Sequence, residues 1–250
     1  MYIQRTIAKQ LSLIIEQDKS VLLLGPRQTG KTTMISQLNA DKVINLAKPF
    51  DRIRYEKEPF LLTSEIEALA ETTKNRKPLV IIDEIQKVPI LTDAAQDLID
   101  RKIALFILTG SSARKLRRSD NINLLPGRVI PLRLDPFMLS EIPIVDLNEI
   151  LLDGSLPEIL LKKDVGERER LLEAYVTIYL EEEIRAEALV RDLGNFARFL
   201  EFSASESGKT VNFLKLSQEI GVSHKTISSY YQILEDCLIA ERVEPFTSSR

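Results

Sequence analysis

The sequence predicts an α/β fold: a parallel sheet with helices on both faces, then a helical segment, then a winged-helix-like module. Three observations carry this. Short, wholly apolar runs (VLLL at 21–24, LVII at 79–82, IALFIL at 103–108) recur with helical spacing between them, as suits strands buried on both faces of a parallel sheet. Strand signals stop after Pro136, where the apolar period becomes helical and Gly154 and Pro157 mark a break. Two amphipathic runs within 213–246 are separated by Gly221, the spacing of a helix-turn-helix. The expected organisation is 1–136, 137–206 and 207–250.

Taken in order, residues 3–17 read as a helix with Ile3, Ile7, Leu11 and Ile14 or Ile15 on one face. The first strand, 21–24, runs into Gly25, and a helix over 31–38 follows. A second strand covers 43–46 and a helix 61–73. The third strand, 79–82, ends in Asp83-Glu84. A helix over 91–99 leads to the strand 103–108, which ends in Thr109-Gly110-Ser111-Ser112, and 129–134 is a fifth strand. Beyond it, 167–189 and 195–205 read as helices. Ligands of such sheets sit at the carboxyl ends of the strands. The loop after 21–24, Asp83-Glu84 and 109–112 all fall there.

Composition narrows the classes. In 250 residues, 44% are hydrophobic and 28% charged, with a net charge of −3, so the whole chain is no polyanion binder. No apolar run approaches the roughly 18 residues needed to cross a bilayer, and the first twenty residues form an amphipathic pattern rather than a signal peptide. With one cysteine, Cys237, and one histidine, His224, neither an internal disulfide nor a Cys/His metal cluster is expected. The expectation is a cytoplasmic protein without a membrane partner. Charge is uneven: residues 111–133 carry six bases (Arg114, Lys115, Arg117, Arg118, Arg128, Arg133) against Asp120, net +5, and 141–192 are net −8.

Gly25, Pro26, Arg27, Gln28, Thr29, Gly30, Lys31 and Thr32 fit G-x-x-x-x-G-K-[ST], with Thr33 next, between a strand and a helix. Glycines let the backbone approach phosphates, and successive N–H groups make an anion nest. Lys31 reaches the β- and γ-phosphates, and the Thr32 hydroxyl is a Mg²⁺ ligand. Asp83, ending an apolar strand, can hold Mg²⁺ through water. Glu84 beside it can polarise an attacking water, a role that suits hydrolysis better than transfer to a second substrate. Thr109 or Ser111 can sense the γ-phosphate, and Arg128 could reach it in cis or from a neighbouring subunit.

The stretches GPRQTGKTT, LVIIDEIQKVP, LFILTGSSARKL and LPGRVIPLRLDPFMLSE, in that order, resemble the AAA+-superfamily ATPases of bacteria and archaea. More narrowly, they resemble an archaeal-type group whose C-terminal half is a domain of unknown function. The resemblance covers essentially the whole chain. It implies ATP rather than GTP, nucleotide roles for Lys31, Thr32, Asp83 and Glu84, and support for Arg128. It also implies a further α/β region resembling restriction-type nucleases, which this chain lacks; the expectation is a shortened chain, with no nuclease activity carried over.

In 213–246, Ser223 is a plausible cap for a second helix, and LIAERVEPF reads as the strand of a wing. Duplex DNA binding would place His224, Lys225, Ser228 and Ser229 in the groove. Residues 207–250 carry five bases and five acids, so the module lacks the usual basic stripe, and a protein-packing module is the competing reading. The sequence therefore points to an ATP hydrolase using Mg²⁺, with oligomerisation open. The alternative is a nucleotide-gated DNA- or protein-binding regulator with little turnover.

Overall fold

Five short strands form one parallel sheet: β1 (Ser20–Leu24), β2 (Lys42–Asn45), β3 (Leu79–Asp83), β4 (Leu105–Gly110) and β5 (Val129–Arg133), in the order β2-β3-β4-β1-β5. The computed structural model describes residues 2–73, 76–111, 125, 127–142, 146–179, 192–244 and 246. The chain divides into two units, Met1–Arg168 and Glu169–Arg250; the sheet lies in the first. β3 and β4 are buried along their whole length, whereas the edge strands β2 and β5 are only partly so. That is why their sequences are the less uniformly apolar ones.

The strand period of two sorts the core into two layers. Leu22, Val80, Ile82, Phe106 and Leu108 face one side, where they meet Tyr55 of α3 (Pro49–Lys57), Leu62 and Ile66 of α4 (Leu61–Thr72), and Leu91, Ala95 and Leu98 of α5 (Leu91–Asp100). Val21, Leu23, Ile81, Ile107 and Leu132 face the other, against Leu11 and Ile14 of α1 (Thr6–Glu16) and Met34 and Ile35 of α2 (Lys31–Ile35). Burying each such side chain contributes roughly 1.5–3 kcal/mol.

Several expected boundaries shift. α1 begins at Thr6, not at residue 3: Arg5 is extended (φ −85°, ψ 138°), and Ile3 borders a cavity instead of joining the helix face. α2 stops at Ile35. α3 had no counterpart in the sequence reading, because only Tyr55 in it is buried. After β5 come α6 (Leu147–Asp153), α7 (Pro157–Leu160) and α8 (Val165–Ala174), the last followed by a π-turn over Tyr175–Tyr179. The remainder of the helix expected to reach residue 189 lies outside the described residues, as do Arg114, Lys115, Arg117 and Arg118.

The second unit packs α9 (Leu193–Ser205), α10 (Phe213–Ile220) and α11 (His224–Asp236) around Phe196, Phe199, Leu216, Ile227, Tyr230 and Ile233. Phe196 meets Tyr230 edge-on, with ring centroids 4.9 Å apart. Local chemistry sets the turn. Gly221 takes a left-handed conformation (φ 80°) that ends α10. The Ser223 side chain then accepts the Thr226 N–H at 3.1 Å and starts α11. Among the described residues, 240–244 carry no strand pairing, so they do not show the wing strand expected after α11. What the structure shows of the module is the helix pair.

Candidate phosphate-binding site

Parallel pairing brings the three polar strand ends together. Leu24 pairs with Gly110 and Ile82 with Leu108, so the loop after β1, Asp83-Glu84 and Ser111 share the carboxyl edge. The loop is shaped by close backbone approach. A Cβ on Gly25 would lie 2.2 Å from the Leu134 carbonyl oxygen, so a side chain there is excluded. Gly30 sits at φ 90°, a region that favours glycine. The Thr29 hydroxyl, fully buried, donates to the Pro26 carbonyl at 2.9 Å. Lys31 is buried, and its ammonium donates to the carbonyls of Gly25 and Pro26 at 2.7 and 2.8 Å.

Asp83 connects the loop to the sheet. Its Oδ2 accepts the Thr32 hydroxyl at 2.8 Å and its Oδ1 accepts the Thr109 hydroxyl at 2.5 Å. Thr109 in turn accepts the Glu84 N–H at 3.1 Å. Glu84 is left-handed (φ 60°) without being glycine, a costly conformation held by its surroundings and of the kind that gathers at functional sites. Its Oε2 accepts from Ser111 Oγ at 3.3 Å and from Gln86 Nε2 at 2.5 Å. Gln86 also donates to Ser111 at 3.0 Å, while its own Oε1 is buried without a partner. Sequence reasoning gave Gln86 no role, although it lies within the stretch LVIIDEIQKVP.

Of these groups, Asp83 and Glu84 line a cavity of about 630 Å³, together with residues 27–33 and Asn45. Tyr2, Ile3, Phe137, Pro157 and Leu161 give it an apolar part. A volume of this size is typical of small-molecule sites, and here most of the residues that line it are polar or charged. Arg5 was also missed. It is buried at this edge and bonded to the phosphate loop through the Thr29 carbonyl at 2.6 Å.

Arg128 is not part of this gathering. It directly precedes β5, whose first residue pairs with Ser20 at the start of β1. It therefore stands at the amino edge, a strand length of roughly 16 Å from the loop, where it donates to Asp100 at 2.6 Å and holds that carboxyl below its ordinary range. Of the two roles left open for Arg128, in cis or from a neighbouring subunit, this position does not support the first.

The donor set at Thr32 and Asp83 is oxygen only, which suits a hard cation such as Mg²⁺ that is held by few protein ligands and completed by phosphate and water. No cluster of three or more His, Cys, Asp or Glu able to cage a metal occurs among the described residues. A phosphate loop whose threonine is bonded to the carboxylate at the end of another parallel strand of the same sheet defines a P-loop nucleotide-binding protein.

The sequence profile of the AAA domain family matches residues 17–143, just over half of the chain, and the chain belongs to that family. Residues 144–250 match a domain of unknown function, DUF8612. The uncharacterized protein Rv2008c of Mycobacterium tuberculosis is 24% identical over 97% of this chain and 54% of its own length. MJ1637 of Methanocaldococcus jannaschii is 23% identical over 97% and 60%. The chain thus spans little more than half the length of these relatives. Among solved structures, the replication initiator DnaA bound to AMPPCP and single-stranded DNA is similar at a TM-score of 0.41, with 10% identity, over 94% of this chain and 90% of that one. No helix among the described residues is long and apolar enough to cross a membrane.

Proposed function

We propose that this chain binds Mg-ATP at the carboxyl edge of the sheet and hydrolyses it. The observation that carries the reading is the Thr32–Asp83–Thr109 chain of hydrogen bonds, with Glu84 and Ser111 beside it. Lys31 would neutralise the β- and γ-phosphates, and Thr32 and Asp83 would hold Mg²⁺. Bound there, the ion would offset the charge that develops on the phosphate oxygens. The apolar part of the cavity, from Tyr2 to Leu161, suits a purine. With Oε2 of Glu84 engaged by Ser111 and Gln86, Oε1 is the oxygen left to take a proton from water. Ser111 orients that carboxylate, and through it would respond to a γ-phosphate bound beside Glu84. Arg128 could serve only a neighbouring copy, in which case a non-hydrolysable ATP analogue should promote assembly in a sedimentation experiment.

A second reading has support in the α10–α11 pair: His224, Lys225, Ser228 and Ser229 are exposed along the second helix, where a groove-reading helix would present them. In that case nucleotide sets the availability of the pair for duplex DNA or a protein, and turnover is incidental. The test is the ATPase rate with and without duplex DNA, alongside a salt-dependent gel shift. Turnover abolished by Lys31→Ala supports the hydrolase. A DNA shift that depends on ATP, with turnover near zero, supports the regulator.

A further inference from the structure

We propose that Arg5 is a positioning residue of the phosphate loop, fixing the peptide between Thr29 and Gly30 to the segment 135–141 that leaves β5. The inference rests on the nucleotide reading above. Arg5 precedes α1, in a stretch no motif covers, and only 4% of it is exposed. Its Nη1 donates to the Thr29 carbonyl at 2.6 Å. Its Nη2 donates to the carbonyls of Asp135 and Pro136 at 2.6 and 3.1 Å, and its Nε to Glu141 Oε2 at 2.9 Å. The Phe137 ring lies 4.9 Å from the guanidinium carbon. Three segments far apart in sequence therefore meet on one planar fork, a geometry that arginine provides and lysine does not.

The peptide unit explains why this bears on binding. In a planar trans peptide the carbonyl and the following N–H point in opposite directions. Holding the Thr29 carbonyl on Arg5 therefore aims the Gly30 N–H the other way, as one donor of the anion nest. Gly30 has no Cβ and sits at φ 90°, so on its own this peptide could turn over at little cost. Arg5 removes that freedom.

Glu141 keeps Arg5 in place. Its Oε1 accepts the Thr6 N–H at 2.6 Å and its Oε2 accepts the Met138 N–H at 3.0 Å as well as Arg5. Burial pushes this carboxyl up, but the two N–H groups and the guanidinium outweigh it and hold it below its ordinary range. Coupling of this kind is reciprocal: if the clamp sets the nest, phosphate in the nest must steady the clamp.

The experiment uses the full chain as wild type, Arg5→Lys and Glu141→Gln. Inorganic tripolyphosphate and adenosine compete against a fluorescent ATP analogue, and amide exchange at Thr6 and Met138 is followed with and without ATP. Arg5→Lys should bind tripolyphosphate and ATP about tenfold more weakly, the loss of about one charge-assisted hydrogen bond, with adenosine affinity unchanged. The ATP-induced slowing of exchange at Thr6 and Met138 should disappear. Glu141→Gln should show the same phosphate-selective loss at about threefold, and carries the test if Arg5→Lys does not fold. Unchanged tripolyphosphate affinity in a folded variant, or equal losses for adenosine and tripolyphosphate, overturns the proposal. A wild type that binds no ATP overturns the nucleotide reading itself, whereas wild-type binding that ignores Arg5 strikes only the clamp.

Discussion

Thr109→Val removes a hydroxyl and little else, so its effect isolates the bridge between β3 and β4. That hydroxyl is fully buried, donates to Asp83 and accepts the Glu84 N–H. Losing a bond to a carboxylate costs about 1.5–3 kcal/mol, and an unpaired N–H adds about 1 kcal/mol, for a total of about 3 kcal/mol. Thr109→Ser keeps both bonds and loses one methyl group, at about 1 kcal/mol. For a protein of this size each kcal/mol lowers the melting temperature by about 2–4 °C. The valine variant should therefore melt about 6–12 °C lower and the serine variant about 2–4 °C lower, read by circular dichroism or calorimetry. The valine variant should also lose most of the Mg²⁺ dependence of ATP binding, because Asp83 is no longer oriented toward Thr32. Equal melting temperatures for the two variants would refute the bridge.

Other expectations follow from the same contacts. Gly25→Ala places a methyl carbon 2.2 Å from the Leu134 carbonyl, so the loop must shift, and ATP affinity measured by fluorescence titration should fall at least about tenfold. Lys31→Ala should abolish detectable nucleotide binding in the same titration. Glu141 has a folded-state pKa held below its ordinary value. The stability it contributes is present above about pH 4.3 and is lost as pH falls through the lower folded value. Glu141→Gln should flatten that acid limb in pH-dependent urea unfolding, and an unchanged limb would count against the buried pair.

The sheet was legible because its central strands are apolar throughout, and LVII at 79–82 has no other economical fate than a buried strand. The loop and its two carboxylates were legible because phosphate chemistry fixes residue types at fixed spacing. What escaped depends on tertiary placement. α3 is mostly charged and offers one buried anchor, Tyr55, although Pro49 at its first turn and Asp51 after it were available signals. Arg5 looks like any polar residue of an amphipathic segment until β5 returns beside the loop and supplies Glu141. The position of Arg128 was legible in principle: a residue directly before a strand of a parallel sheet lies at its amino edge, away from the phosphate loop. The wing was read from strand-forming residues alone, and a strand also needs a pairing partner, which none of the described strands supplies.

Hydrolysis by Glu84, at a site held by Lys31, Thr32 and Asp83, is tested by phosphate release and ATP binding measured together on wild type and Glu84→Gln. The wild type should release phosphate in a Mg²⁺-dependent manner, while Glu84→Gln binds ATP with similar affinity and releases almost none. Phosphate release from Glu84→Gln at the wild-type rate would contradict the account.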